Sequence, residues 1–327
     1  MRTTLEEEKI VCDQKTPQGE TPLLKYWDKF VSDWKKEGRS ERTVKNVRDK
    51  LKFVITVLGI HSIEQCNNPV LLRDKLFEIA EKRNWGNGEI VNAGTTINSY
   101  AKDLKTYYIW LEDMQLIKEN NLKRFRKCKE KQNEQYTLQE KQIEALQTHI
   151  TNRKQTHRVE KWRNKLFIEL SISTGARPCE LEEIQCKDIE KQGDKYVLKI
   201  HGHKQKGGTR KYNLTPQIRD IYDTYMYQRQ RIGREEPKLF ISLSSREGWT
   251  YKGMNALMKR LSKELGFRVN SYAIRRFVAT KLWKEEKMSE REIMAHLGHT
   301  RLSTTLRYVE RGSELTQKGV NVMGKMF

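Results

Sequence analysis

The run HLGHTRLSTTLRY, from His296 to Tyr308, places His299 nine residues before a tyrosine. Two earlier segments carry arginines: TGARPCEL (174–181) contains Arg177, and YAIRR (272–276) contains Arg275. Together these positions offer a phenol, an imidazole and two guanidiniums. This set suits phosphodiester cleavage without a metal, because a phenol can attack phosphorus while fixed cations stabilise the charge that builds on the phosphate oxygens.

The charge of the chain predicts a nucleic-acid partner. Its 327 residues include 64 Lys plus Arg against 43 Asp plus Glu, a formal net charge of +21. Such a field attracts phosphate polyanions and releases their counterions. The alternative is a basic protein with no such partner.

Cysteine usage and hydropathy indicate the cellular compartment in which the protein is expected. The five cysteines form no Cys-x-x-Cys pair, so we expect neither a disulfide framework nor a zinc site. The first residues of the sequence lack the apolar stretch typical of a secretory signal, and no apolar run approaches the ~20 residues that span a bilayer. We therefore expect a cytoplasmic or otherwise intracellular protein with access to DNA and no membrane contact.

The amino-terminal part is predicted to be a helical bundle behind a short arm. Residues 1–20 are polar without periodicity and predict a flexible arm. Apolar residues at helical spacing predict helices beginning near Thr21, Ser40, Pro69 and Thr95, which together form a helical bundle over 21–122. Its aromatic residues at helical spacing are interpreted as core, although they are also able to stack on bases.

A basic segment over 123–136 is predicted to link two domains. Lys123, Arg124, Arg126 and Lys127 lie in its run KRFRKCKEK. Such a run is often only a solvated face, but between two domains of a protein that binds a duplex it would complete a clamp on the phosphates.

The second domain is predicted over 137–327, with a carboxy-terminal tail from 313. Capping boxes at Thr137 and Ser289 predict helix starts. Between them we expect a helix over Val159–Ser173, strands over Tyr196–Ile200 and Arg210–Leu214 joined by a glycine-containing turn, and helices from Pro216, from Lys252 to Leu265 and from Ala273 to Glu285. The predicted fold class is mainly α with a small antiparallel β-hairpin or sheet.

This second domain resembles the catalytic domain of the tyrosine recombinase family, which includes phage-type integrases and Xer-like site-specific recombinases. TGARPCEL resembles the family's first box and implies catalytic roles for Arg177 and Glu180. YAIRRFVAT resembles the second and implies one for Arg275. LGH and STTLRY then imply His299 and the nucleophile Tyr308. The likeness covers about Thr137 to Val309, and the bundle agrees with the family's core-binding domain.

The resemblance also implies a lysine general acid in the turn between the strands. Lys206 fits best, because Lys211 and Leu214 then follow as the family's basic and apolar strand residues do. Lys204 is the alternative, and otherwise a DNA contact.

One position departs from the family pattern. Tyr272 stands where the second box usually has histidine or lysine. A phenol can donate a hydrogen bond to phosphate but brings no positive charge. Nearby Arg276 is expected to contact DNA.

By resemblance, the chain is expected to be a site-specific recombinase that cuts and rejoins double-stranded DNA through a 3′-phosphotyrosyl link, with no cofactor or metal. Four protomers would act on two duplexes, with the tail docking on a neighbour. Two alternatives stay open: relaxation of DNA as in type IB topoisomerases, and a catalytically silent DNA-binding regulator.

Overall fold

The computed structural model divides the chain into two units, Met1–Asn133 and Glu134–Phe327, each with its own hydrophobic core. Their boundary lies inside the segment 123–136. The structure describes residues 16–83, 90–129, 136–154, 157–202, 208–232, 236–244, 247–284 and 288–299.

The first unit is helical. Its helices are α1 (Trp27–Lys36), α2 (Glu41–Thr56), α3 (Ile63–Cys66), α4 (Pro69–Lys82) and α5 (Ile90–Asp113). The starts predicted at Ser40 and Pro69 are confirmed, and the Asn68 side chain caps α4 by accepting from two backbone N–H groups. The short helix α3 was not predicted, and α5 begins five residues before Thr95.

The predicted helix start at Thr21 is wrong. Residues 21–23 pair with residues 61–63 instead: Ile63 N–H donates to Thr21 O at 2.8 Å, and Leu23 N–H donates to His61 O at 2.8 Å. These bonds between distant segments hold the chain out of a helix until Trp27. Leu23 is still buried, so its apolar character reflects the core rather than a helical face.

The aromatic residues of the bundle form its core, as predicted. Phe30, Tyr107 and Tyr108 are fully buried. Phe30 packs edge-on against Tyr107 with ring centroids 5.2 Å apart. The Tyr108 hydroxyl donates to Ile63 O at 2.8 Å, which satisfies the polar end of a buried ring.

The second unit combines helices with a small sheet. Its helices are α6 (Glu140–Asn152), α7 (Arg158–Thr174), α8 (Pro178–Glu183), α9 (Pro216–Gln230), α10 (Tyr251–Leu265), α11 (Ser271–Lys284) and α12 (Glu290–Leu297). Strands β1 (Ile189–Gln192), β2 (Lys195–His201) and β3 (Thr209–Asn213) form an antiparallel sheet in that order. The mainly α class with a small antiparallel sheet is therefore confirmed, and β1 and α8 are additions.

The two predicted capping boxes have different outcomes. At Ser289 the box is present: Glu292 N–H donates to the Ser289 hydroxyl at 3.3 Å, and Ser289 N–H donates to the Glu292 carboxylate at 2.8 Å. At Thr137 the prediction is wrong. The first helical residue is Glu140, and Gln142 accepts from Gln139 N–H at 2.9 Å instead. Across the described residues, no helix combines the length and apolar character needed to cross a membrane.

Candidate active site

Helix α7 ends in a turn that delivers Arg177. Gly175 adopts a left-handed conformation with φ of +59°, which glycine reaches without a Cβ penalty. A Cβ there would also lie 2.6 Å from the Leu297 side chain. The Thr174 hydroxyl donates to Leu170 O at 2.6 Å and accepts from Ala176 N–H at 3.1 Å. The two hydrogen bonds fix the turn, which lies close to Leu297 at the end of α12.

The Glu180 carboxylate is the buried acceptor of the site. Its Oε2 accepts from the backbone N–H of Arg177 at 2.9 Å and from Arg210 Nη2 at 2.7 Å. Its Oε1 accepts from Arg177 Nη1 at 2.9 Å. Burial raises the pKa of Glu180, but these bonds and the two positive charges outweigh burial, so the pKa lies below its usual value. Glu180 is therefore ionised.

Arg275 extends from α11 into the protein and is 1% exposed. Its Nη1 donates to Gly175 O at 2.6 Å and its Nη2 to Leu297 O at 2.7 Å. A buried guanidinium thereby joins α11 to the ends of α7 and α12. Its charge acts strongly on nearby groups, because protein surroundings screen less than water.

The carboxyl end of α12 is held by four side chains from three other parts of the unit. Helix ends leave carbonyls without partners in the helix. Here Leu297 O accepts from both Arg210 Nη1, at 2.5 Å, and Arg275. Gly298 O accepts from Arg177 Nη1 at 3.2 Å, and the Tyr212 hydroxyl donates to the carbonyl of the residue before Leu297.

His299 directly follows this helix end and is 6% exposed. Gly298 turns the chain in a left-handed conformation with φ of +65°, and His299 N–H donates to Met294 O at 3.0 Å. Burial, together with the positive charges of Arg275, Arg177 and Arg210, lowers the pKa of His299 from its ordinary 6.5 to about 3. The imidazole is therefore neutral at pH 7 in this structure.

Four of the predicted site residues thus come together: Arg177, Glu180, Arg275 and His299. Tyr308 and the two turn lysines, Lys204 and Lys206, lie outside the described residues.

Tyr272 and Arg276 border a neighbouring pocket of about 370 Å³, which also includes Tyr251 and Arg268. Tyr272 is 46% exposed, and Arg276 Nε donates to Tyr136 O at 2.6 Å. Among the described residues that line this pocket, none is acidic. The surroundings of Tyr272 are therefore polar and positively charged.

The described part of the basic segment, residues 123–129, belongs to the first unit. Phe125 is buried in that core. Asn98 of α5 exchanges two hydrogen bonds with the backbone of Cys128. Four basic residues of this segment are predicted to contact DNA. Lys123 pairs with Glu112 and Arg124 with Glu119, while Arg126 and Lys127 are exposed. DNA contact by these residues stays a prediction.

Sequence reasoning missed Arg210 as a member of the site, and it considered Tyr212 only as an alternative nucleophile to Tyr308. It took Lys211 as the basic strand residue, but Lys211 is exposed. The alternation of β3 puts positions 210 and 212 on one face. A strand with arginine and tyrosine two apart was the available signal, yet only the contact with α12 shows which face is functional.

The mainly helical domain with its small sheet, and with arginines, a carboxylate and a histidine gathered at one helix end, defines the class of tyrosine site-specific recombinases. The phage integrase family model matches residues 136–314, more than half of the chain, and the chain belongs to this family.

Solved structures share the fold. The Tn1549 transposon integrase in complex with a circular intermediate DNA has a TM-score of 0.67 at 15% identity, covering 93% of this chain and 100% of that one. A lambda integrase tetramer bound to a Holliday junction has 0.66 at 15%, covering 90% and 78%. XerH recombinase bound to its difH substrate has 0.64 at 16%, covering 86% and 79%. No curated protein matches the sequence.

Proposed function

We propose that Tyr308 attacks the scissile phosphate of a specific double-stranded DNA site. The tyrosine oxygen loses its proton to solvent and forms a bond to phosphorus, and the bond from phosphorus to the 5′ oxygen breaks. That oxygen leaves with the electron pair and takes a proton from Lys206, with Lys204 as the alternative donor. The product is a 3′-phosphotyrosyl link and a free 5′-hydroxyl. Attack by a second 5′-hydroxyl reverses the chemistry and completes strand exchange.

The convergence of Arg177, Arg275 and His299 is the observation that carries this proposal. The two guanidiniums donate to the consecutive carbonyls Gly298 O and Leu297 O, immediately before His299. The side chain of Arg177 is 29% exposed, so a docked phosphate can reach it. Buried Arg275 adds a second fixed positive charge close to His299. Preorganised cations of this kind stabilise the charge that develops on a phosphate in the transition state.

The remaining roles follow from charge and exposure. Tyr272 donates a hydrogen bond to the phosphate, and Glu180 orients the arginines. The basic residues Arg276, Lys123, Arg124, Arg126 and Lys127 contact the DNA backbone. A phosphate placed near His299 raises its pKa, because the added negative charge favours the imidazolium.

We also propose that the active assembly is a tetramer on two duplexes. The lambda integrase of similar fold is a tetramer bound to a Holliday junction. The bond energy kept in the phosphotyrosyl link makes exchange possible without a nucleotide or a metal. The net charge of +21 fits a polyanionic partner, and such an enzyme works inside the cell, where the DNA is.

A suicide substrate tests the proposal. DNA carrying the recognition site with a nick beside the cleavage point loses its short leaving strand after attack, so the covalent complex accumulates. We expect wild-type protein to be trapped and Tyr308→Phe to bind DNA normally without trapping. A covalent product surviving in Tyr308→Phe would move the nucleophile elsewhere.

The other tyrosines of the site give the controls. The Tyr212 hydroxyl already donates to a carbonyl of α12, and burial raises its pKa, which makes it a poor nucleophile. Tyr212→Phe and Tyr272→Phe should therefore both still be trapped. Failure of the wild type to be trapped would favour a silent DNA-binding protein, and plasmid relaxation without recombinants would favour a topoisomerase.

A further inference from the structure

Arg210 is a buried cation for which the proposed chemistry has no role. It lies on β3, and its side chain is 8% exposed. We propose that Arg210 is a positioning residue that holds Arg177 and Arg275 in place for the phosphate, by sharing one hydrogen-bond acceptor with each of them. This inference rests on the proposed function.

The two shared acceptors are the Glu180 carboxylate and the Leu297 carbonyl. Arg210 Nη2 donates to Glu180 Oε2 at 2.7 Å, while Arg177 Nη1 donates to Oε1 of the same carboxylate at 2.9 Å. Arg210 Nη1 donates to Leu297 O at 2.5 Å, and Arg275 Nη2 donates to the same atom at 2.7 Å. One guanidinium thus contacts the partner of each arginine.

The charges explain why a third arginine is needed. Glu180 is buried and ionised, so it attracts any nearby cation strongly. If Arg177 were its sole ion-pair partner, the carboxylate would neutralise much of the positive charge of Arg177. Arg210 supplies a second positive charge to Glu180, which leaves Arg177 better able to stabilise a phosphate. Three guanidiniums and one carboxylate give this cluster a net charge of +2.

The geometry of the turn is built around the Arg210 side chain. A Cβ on Gly298 would lie 1.8 Å from Arg210 Nη1, so a larger residue there would force the guanidinium to shift. The backbone of Arg210 is held by the sheet, where it pairs with Ile200 of β2. The planar fork of arginine reaches two acceptors at once, which the single ammonium of lysine does not match.

A competing role follows from the position of Arg210 in the chain. Lys204 and Lys206 lie a few positions before Arg210 in the sequence, so Arg210 would also be able to act by anchoring the general acid. The two roles differ chemically. Positioning of the arginines affects charge on the non-bridging oxygens, whereas positioning of a lysine affects protonation of the leaving oxygen.

The test uses the full chain with Arg210→Gln and Arg210→Lys. Lys211→Gln is the matched control, because it removes a cation from the adjacent, exposed position of the same strand. We expect DNA affinity within about twofold of wild type for all three. A displaced catalytic group typically costs about 10²-fold in rate, and we expect that loss of single-turnover cleavage in Arg210→Gln. Arg210→Lys should lose less, and Lys211→Gln should cleave normally.

Two modified substrates identify the step that is affected. A methylphosphonate at the scissile position removes the non-bridging negative charge, so the Arg210→Gln defect should shrink at least tenfold, as should that of Arg177→Ala. A 5′-bridging sulfur leaves as a thiolate and needs no acid, because a thiol is far more acidic than an alcohol (pKa about 8.5 for cysteine). With this substrate the Arg210→Gln defect should therefore persist. Thermal unfolding reports whether each variant is folded.

Three results would overturn the inference. Normal cleavage by Arg210→Gln would remove any role. Full rescue by the sulfur substrate would assign Arg210 to the lysine turn. A defect undiminished on the methylphosphonate would make its role structural only. Each of these results counts only if wild-type protein is trapped on the nicked substrate and Tyr308→Phe is not. Absence of that trapping would instead contradict the proposed function.

Discussion

Glu180 accepts both the backbone N–H and the guanidinium of Arg177, each at 2.9 Å. The first bond caps the amino end of α8, where a negative charge is favourable. The second fixes the direction of the arginine side chain. One carboxylate therefore determines where the main chain turns and where its cation points.

Replacing Glu180 with glutamine should disable the site while the chain stays folded. The amide keeps one acceptor oxygen but turns an NH₂ group toward a guanidinium, which is also a donor. We expect a loss of about 2 kcal/mol in unfolding free energy and a fall in cleavage of at least tenfold. Denaturant unfolding measures the change in unfolding free energy, and trapping on the nicked substrate measures the fall in cleavage.

Glu183→Gln, at an exposed position of the same helix, is the control and should change stability by less than about 0.5 kcal/mol. Equal effects of the two substitutions would contradict the role given to Glu180.

The depressed pKa of His299 predicts how stability depends on pH. In the unfolded chain His299 takes up a proton near its ordinary pKa of 6.5, whereas in the fold it does so only near 3. Between these values the unfolded state binds more protons, so this group makes stability fall as pH is lowered from 6.5. The slope is at most about 1.4 kcal/mol per pH unit.

Denaturant unfolding of wild type and His299→Gln at pH 7, 6 and 5 isolates the contribution. The wild type should lose more stability over this range than the variant. Parallel curves would mean that His299 titrates normally in the fold. The window stays above the region where Glu180 protonates, since the pKa of that carboxyl is also lowered.

Gly298→Ala should be far more harmful than a matched substitution elsewhere. Gly298 and Gly266 both end helices in the left-handed conformation, with φ of +65° and +73°. A Cβ on Gly266 meets nothing within 4 Å, whereas a Cβ on Gly298 meets Arg210 Nη1 at 1.8 Å. Both variants bear the backbone strain of about 1–2 kcal/mol, but only Gly298→Ala also displaces a buried guanidinium.

Thermal unfolding and cleavage assays compare the two glycine variants. Gly266→Ala should cleave DNA at the wild-type rate, and Gly298→Ala should cleave at least tenfold more slowly. If both variants keep full activity, cleavage does not depend on the close packing of Arg210 against the turn.

Phe30→Ala should destabilise the first unit. The ring is fully buried and lies within 5.4 Å, between centroids, of Trp27, Trp34, Tyr107 and Trp110. Loss of a buried phenylalanine costs about 3–5 kcal/mol, and denaturant unfolding should measure a loss of this size. Ile109→Ala, at a side chain 46% exposed, should cost under about 1 kcal/mol. Comparable losses would contradict the interpretation of the aromatics as core.

Local signals predicted much of the fold. Pro69, Ser289 and the periodic residues of Val159–Ser173 each marked a helix that is present, because capping and amphipathic spacing act within a few residues. The start expected at Thr21 was wrong, because pairing with residues 61–63 is not a local property. The strand β1 was missed, since four residues carry little pattern.

The sequence by itself determined the family, the two arginine boxes and His299, because each motif keeps its chemistry in a short run. Only the tertiary structure decided how these groups are connected. Arg177 meets Gly298 across 121 positions, Arg275 meets Gly175 across 100, and Arg210 meets Leu297 across 87. Such contacts depend on how helices and strands pack, and no spacing rule encodes them. The role of Arg210 therefore emerges only when β3 lies against the end of α12.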